Sequence, residues 1–179
     1  MFNEQSSCYR TKQKGQSLLE VIVVIAVGVV VVGSLVFATI ASLRNAQFAK
    51  SQTEATKLAQ EGIENVRSAR NRDGIIKGLF AQDITWSSAS LWSGSIASTC
   101  LTPCYFKLSA GGTLSFIQAN DPKLPDCPLS ECLENMFKRV IVLADDPGSS
   151  NSKLVTVIVS WNDFSGIHES RLTTILRQL

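Results

Sequence analysis

The pattern of apolar positions separates an uncharged N-terminal run from a downstream part with mixed periodicity. From Val21 to Leu43, 23 successive residues carry no charge. A helix of about 20 apolar residues spans the hydrocarbon core of a bilayer, which is roughly 30 Å thick. An isolated span must be helical there, because its backbone polar groups find no water to bond. The run therefore predicts one membrane-spanning helix.

Beyond Arg44, apolar or small residues recur at steps of three, four and seven, the pattern of an amphipathic helix with one buried stripe. The stripe consists of Phe48, Ala55, Leu58, Ala59, Gly62, Ile63, Val66 and Ala69. No proline occurs between Gln16 and Pro103, so we expect one helix from about Ser17 to Arg70. Gly74 is the expected stop, because glycine readily adopts the left-handed conformation that ends helices.

The period changes to two in the C-terminal part, residues 105–179. Predicted strands 105–108 and 113–117 flank Ala110-Gly111-Gly112, which is a hairpin signal. Further strands are predicted at 137–143, 154–161 and 167–176, with Val155, Val157, Val159 and Trp161 on one face. Residues 74–104 read as an irregular connector with a short helix. A long helical spine followed by four or five antiparallel strands predicts an α+β fold.

Charge is concentrated before the apolar run. Residues 1–15 hold Arg10, Lys12 and Lys14 against Glu4, and the rest of the chain has 14 basic and 14 acidic residues. Basic residues before a span favour a cytoplasmic N-terminus, which places the part beyond Leu43 outside the cytoplasm. A formally neutral remainder does not indicate a general binder of nucleic acid or of anionic membranes.

An ordinary signal peptide would also begin with basic residues. Its apolar core has only about 7–15 residues and ends at a small-residue cleavage site. The run here is longer, and the residues from Phe37 to Ser42 offer no such site. A lipoprotein signal at Cys8 has even less support, because no apolar region precedes that cysteine.

Glu20 stands at the cytoplasmic start of the apolar run. A carboxylate inside a membrane span costs a few kcal/mol and usually marks a function or a partner. The competing interpretation is that Glu20 is interfacial and its carboxylate reaches water.

The segment Lys14-Gly15-Gln16-Ser17-Leu18-Leu19-Glu20, followed at once by the apolar run, resembles the class III signal of type IV pilins and type II secretion pseudopilins. The resemblance implies that a prepilin peptidase cuts after Gly15 and methylates the new amino-terminus on Gln16. It also implies that Glu20 pairs with the amino-terminus of a neighbouring subunit. The chain departs from major pilins at Gln16, where they carry phenylalanine or methionine.

The resemblance implies a division into five segments. They are a cytoplasmic leader (1–15), a transmembrane and filament-core helix (16–43), an amphipathic half-helix (44–73), a connector (74–104) and an antiparallel β head (105–179). The expected partners are the prepilin peptidase, other pilin or pseudopilin subunits, an inner-membrane assembly platform and, before assembly, the lipid bilayer. The protein would stay in the inner membrane as a single-pass protein until it enters a pilus or pseudopilus.

The function implied is that of a structural subunit, a minor pilin or pseudopilin of a type IV pilus-like or type II secretion-like filament. The strand that begins Phe137-Lys138-Arg139-Val140 also resembles minor pilins. Two alternatives stay open: a single-span surface protein with an extracytoplasmic binding domain, and a DNA-uptake or adhesive tip pilin. No motif of a nucleophile elbow, phosphate loop or zinc protease is present, so no enzyme and no cofactor are expected.

Four cysteines form two close pairs, Cys100/Cys104 and Cys127/Cys132. Disulfides are favoured over zinc, because the spacing is longer than in most zinc sites and the compartment is oxidising. Three connectivities are open. Links between the two pairs close longer loops and are therefore the preferred ones.

The remaining polar residues that could form a binding site are assigned structural roles. The loop with Asp145, Asp146 and Asn151 could hold calcium through its oxygens, but a plain turn is preferred. His168 is assigned to a surface or core position.

The cluster of Arg67, Arg70 and Arg72 is assigned to the helix C-terminus, where cations complement the dipole. DNA phosphates are the second candidate partner of these arginines.

Overall fold

A computed structural model describes residues 16–96, 104–109, 112–117, 130–134, 136–149 and 151–179. Its residues group into two compact units that divide between Gln47 and Phe48. The described part of the first unit is helical throughout. The second unit contains helix and sheet.

Helix α1 runs from Gln16 to Asn71 and contributes to both units. In the second unit its predicted apolar stripe is confirmed. The stripe residues from Ala55 to Ala69 are buried, and Phe48 is 38% exposed. The stripe faces the sheet, since a Cβ on Gly62 would lie only 2.8 Å from Cγ1 of Val157.

The end of α1 differs from the expectation that Gly74 would stop the helix. Asp73 takes the left-handed conformation, with φ 53°. The backbone N–H of Gly74 donates to the carbonyl of Ala69, and that of Asp73 donates to Arg70, which is the Schellman pattern. Asp73 is held there because its carboxylate accepts hydrogen bonds from Ser87 N and Oγ, at 2.7 and 2.8 Å.

The second unit contains an eight-stranded sheet in the order β2-β1-β4-β3-β6-β7-β8, with β5 also paired to β6. The strands are β1 Ile75–Lys77, β2 Ile84–Thr85, β3 Cys104–Leu108, β4 Leu114–Ile117, β5 Glu131–Leu133, β6 Phe137–Asp145, β7 Ser152–Asp163 and β8 Gly166–Arg177. All pairs are antiparallel except β1 with β4. The α+β fold is therefore confirmed.

The connector after α1 is more regular than expected. It holds β1, β2, a 3-10 turn at Leu79–Ala81 and helix α2 at Ala89–Ser93. The short strand β5 was not predicted either. Strands of two or three residues are too short for a period of two to be recognised, so the sequence pattern missed them.

The core lies between the sheet and the second half of α1. Val155, Val157, Val159 and Trp161 of β7 are all buried, as predicted. In β6 the inward positions include Phe137, Ile141 and Leu143. Trp86 and Trp92 close the core beside α2, and the indole N–H of Trp92 donates to the Trp86 carbonyl.

Strands β6, β7 and β8 form two long hairpins with turns at opposite ends of the sheet. The β6–β7 turn lies between Asp145 and Ser152, and the β7–β8 turn between Asp163 and Gly166. Helix α1 follows β8 in parallel, since Thr56 contacts Ser170 and Arg67 contacts Thr174.

Candidate functional site

The first half of α1 presents apolar side chains on all sides. Every large apolar residue from Leu18 to Leu43 is exposed, from 45% at Ile40 to 76% at Phe37. The helix is long and apolar enough to cross a membrane. So much exposed apolar surface is not stable in water, and it fits lipid or the apolar faces of other helices.

Glu20 is the one acid on this apolar surface, and its side chain is exposed. It lies about one turn inside α1, and the first turn carries no acidic residue. Its neighbours three and four positions away on the helix are Gln16, Ser17, Val23 and Val24. None of these four side chains is basic, so no side chain three or four positions away can neutralise the Glu20 carboxylate.

One protein-family profile, described as a prokaryotic N-terminal methylation motif, matches residues 10–36. The chain carries a type IV pilin-type signal. The match includes Gly15, Gln16, Glu20 and the first part of the apolar helix, so the resemblance inferred from residues 14–20 is confirmed. No curated protein and no solved structure matches the chain significantly.

The pilin-type signal has direct consequences for the class of protein. The motif is typical of processed pilin-type subunits, which are a structural class, and α1 is the one helix among the described residues that is long and apolar enough to span a membrane. Gln16 is the first residue of α1. Gly15, on the other side of the expected cut, lies outside the described residues.

Beyond the signal, a buried arginine ties α1 to the sheet. The side chain of Arg139 on β6 is 3% exposed. Its guanidinium binds both carboxylate oxygens of Glu131, at 2.8 and 2.9 Å, and donates to the Leu58 carbonyl of α1 at 2.9 Å. Glu61 adds a weaker contact at 3.7 Å. Bidentate pairing of this kind is what makes a buried arginine tolerable.

A second buried cation lies at the opposite end of the sheet. Lys153 of β7 donates to Asp145 Oδ1 at 2.6 Å and to the Gly94 carbonyl at 2.9 Å. Sequence reasoning singled out neither Arg139 nor Lys153. A signal existed, because the period of two places each of them on the inward face of its strand.

The loop considered for calcium has its carboxylates engaged by protein groups. Asp145 binds Lys153 and also accepts from Ser95 Oγ at 3.1 Å. Asp146 accepts from Ser152 Oγ and from the Gly148 backbone. These hydrogen bonds, first from Ser152 and then from Gly148, hold the pKa of Asp146 below its ordinary value. The described loop therefore has the bonding of a turn.

Two members of the arginine cluster contact the protein itself. Arg67 pairs with Glu64 at 2.7 Å and donates to Thr174. Arg70 donates to Asn71 and to the carbonyl of Arg177 on β8. Arg67 and Arg70 thus have partners within the protein near the end of α1, and the dipole role of the cluster stays a prediction.

His168 combines the surface and core roles. Its ring stacks on Trp161, with centroids 5.4 Å apart, and meets Phe48 edge-on at 5.0 Å. Its Nε2 lies 3.0 Å from Asp163 Oδ1 and 3.0 Å from Ser165 Oγ. The histidine thereby connects the β7–β8 turn to the aromatic end of the core.

Two of the four paired cysteines lie within the described residues. Cys104 begins β3 opposite Leu143, and Cys132 lies in β5 opposite Lys138. Cys100 and Cys127 lie outside the described residues. The disulfide assignment stays a prediction. The register of β3 and β5 on β6 limits which of the cysteines can be linked to each other.

Proposed function

We propose that the protein is a minor pilin or pseudopilin, a structural subunit of a type IV pilus-like or type II secretion-like filament. A prepilin peptidase cuts after Gly15 on the cytoplasmic side and methylates Gln16. The observation that carries the proposal is the methylation motif at residues 10–36, which continues into an exposed apolar helix and then into a separately packed head.

The role of Glu20 follows from electrostatics in an apolar medium. A carboxylate buried alone is costly, and so is the charged amine that cleavage creates at Gln16. Pairing Glu20 with the amine of a neighbouring subunit offsets much of both penalties and gives the helices a preferred axial register. No side chain three or four positions from Glu20 is basic, so an amino-terminus is the cation that the proposal assigns to it.

The head is proposed to lie outside the cytoplasm, with disulfides among Cys100, Cys104, Cys127 and Cys132. Its partners during assembly are other pilin subunits and the inner-membrane platform. A single-span surface protein without a filament role is the second candidate. A DNA-uptake role has weaker support, because Arg67 and Arg70 already contact protein groups.

Processing and assembly are tested together by Glu20→Gln, which removes the charge and keeps the shape. The matched control is Glu64→Gln, which changes an exposed acid in the outer half of α1. Intact mass should show that wild type and both variants have lost residues 1–15, because the cut does not need the pairing. Co-purification with sheared filaments or pseudopili should fall only for Glu20→Gln.

Two results would contradict this function. A mature chain that still carries residues 1–15 would overturn the processed-subunit reading altogether. Incorporation of the Glu20→Gln variant at the wild-type level would contradict the proposed pairing of Glu20. It would not contradict the proposed cleavage after Gly15.

A further inference from the structure

Four exposed apolar side chains of the second unit lie at one end of its sheet. Among the described residues from Phe48 onward, seven large apolar side chains are exposed. Four of them, Phe48, Met136, Phe164 and Ile167, lie near the β7–β8 turn, and we call them the end patch. The other three are Ile75, Ile175 and Leu179.

The contacts around Trp161 place the residues of the end patch at the same end of the sheet. Phe48 on α1 and Phe137 on β6 both contact the Trp161 ring, at centroid distances of 6.3 and 6.2 Å. Met136 directly precedes Phe137. Ile167 directly precedes His168, whose ring lies 5.0 Å from that of Phe48.

The two long hairpins have opposite chemistry at their turns. The β7–β8 turn presents Phe164, 63% exposed, and Ile167, 74% exposed. The β6–β7 turn, roughly 35 Å away along β7 at about 3.3 Å per residue, carries Asp146, Pro147, Gly148 and Ser149. Of these two turns, only the one at the end of the sheet at which α1 enters the second unit presents exposed large apolar side chains.

The polar groups of the apolar turn bind one another. The backbone N–H and the Oγ of Ser165 donate to Asp163 Oδ1 at 2.7 and 2.9 Å. His168 Nε2 lies within hydrogen-bond distance of the same oxygen. Internal hydrogen bonding lowers the penalty for moving these groups out of bulk water.

The chain limits how far the end patch can lie from the end of the apolar run. Phe48 follows Leu43 by five residues, which reach at most about 18 Å in any conformation. The headgroup layer of a bilayer adds roughly 5–7 Å on each side of the hydrocarbon core. An apolar patch tethered this closely to a membrane span meets the lipid interface at high effective concentration.

We propose that the end patch is a second membrane contact, which rests on the lipid headgroup region while the subunit waits in the bilayer. Phe164 and Ile167 enter the boundary between headgroups and acyl chains, and the β6–β7 turn stays in water. The attraction is apolar, so it does not need anionic lipid. This proposal rests on the membrane-anchored state of the proposed function.

The test uses the full chain in nanodiscs of phosphatidylcholine, with and without brominated acyl chains. A genetically encoded, environment-sensitive fluorescent amino acid replaces Phe164 or Ile167. The matched control carries it at Ser149, an exposed position in the opposite turn. A fourth variant carries it at Phe37, inside the apolar run. All four positions are exposed, so the substitutions leave the core intact.

We expect blue-shifted emission and loss of intensity with brominated lipid at positions 164, 167 and 37, and neither effect at 149. If the probes at positions 164 and 167 emit like the probe at position 149 while the probe at position 37 is quenched, the second membrane contact is contradicted. The membrane-spanning helix is then still supported. If the probe at position 37 is not quenched, the apolar run does not lie in the membrane, and the proposal is contradicted as well. Protection at 164 that appears only after other subunits are added would assign the patch to a protein partner and also overturn the proposal.

Discussion

At the scale of single residues, Arg139 shows how a charge can be kept in the core of a small domain. It joins β6, β5 and α1 through Glu131 and the Leu58 carbonyl. Removing one partner of a buried ion pair leaves the other partner poorly compensated, which is more damaging than losing an exposed pair.

Arg139→Met should therefore lower the free energy of unfolding by about 3 kcal/mol, the lower end of the usual range for breaking a buried pair, since Glu131 is partly exposed. Arg171→Met is the matched control, since Arg171 is exposed and pairs with Glu169 on the same strand; it should cost less than about 1 kcal/mol. Denaturant titration of the detergent-solubilised chain measures both. Equal losses would show that Arg139 contributes no more than a surface cation.

Asp73 is a second residue whose charge has a structural use. The hydrogen bonds from the Ser87 side chain and backbone hold its pKa below the ordinary value of 3.8. A lowered pKa in the folded state means that the ionised carboxylate stabilises the fold above pH 3.8. That contribution is lost as the pH falls through the folded-state pKa.

Asp73→Asn should consequently be less stable than wild type at neutral pH, because asparagine accepts the left-handed backbone but carries no charge. The difference should shrink as the pH falls below 3.8. Thermal unfolding of both proteins across this acidic range measures it. A difference that does not change with pH would exclude the carboxylate charge as its source.

At the scale of elements, α1 packs closely against the sheet at Gly62. A Cβ at this position would lie 2.8 Å from Val157 Cγ1 and 3.2 Å from Arg139 Cδ. The same helix that is exposed on all sides before Leu43 is thus closely packed one to two turns beyond Ala55. Packing here depends on the absence of a side chain.

Gly62→Ala should destabilise the protein although alanine favours helix over glycine by about 1 kcal/mol. Overpacking a core typically costs about 1–3 kcal/mol, so the net loss should be roughly 1 kcal/mol. Gln60→Ala, at an exposed position of the same helix, should be neutral or slightly stabilising. The free energies of unfolding of both variants measure these effects. A Gly62→Ala protein that is more stable than wild type would show that the helix can shift away from Val157.

At the scale of the whole molecule, the sheet register restricts the proposed disulfides. Cys104 and Cys132 lie opposite β6 residues 143 and 138, a separation of about 17 Å along the strand. The Cα atoms of a disulfide lie within about 7 Å of each other. A direct link between these two cysteines is therefore incompatible with the described strands, which leaves two of the three connectivities.

Peptide mapping of the mature protein without reduction should accordingly yield no peptide that links Cys104 to Cys132. Cys104 should be recovered with Cys100 or with Cys127. The same digest after reduction serves as the control for peptide coverage. A linked Cys104–Cys132 peptide would mean that β3 or β5 pairs with β6 in another register.

The sequence by itself determined the features that depend on long or local patterns. The uncharged run and the pilin-type signal around Gly15 and Glu20 are local features of composition and motif. The stripe of α1 and the long strands β6, β7 and β8 follow from the periodicity of apolar positions. Such patterns are readable because hydrophobic burial repeats with the period of the backbone.

Only the tertiary structure decided the features that depend on distant neighbours. The left-handed residue at the end of α1 is Asp73 and not Gly74. Ser87, fourteen residues later in the chain, donates hydrogen bonds to the Asp73 carboxylate and holds it there. The parallel pairing of β1 with β4 and the contacts of Arg139 with Leu58 and Glu131 also depend on residues that are distant in the chain. The end patch likewise exists because folding brings Phe48, Met136 and Ile167 to the same end of the sheet from distant parts of the chain, and such an arrangement leaves no local period to read.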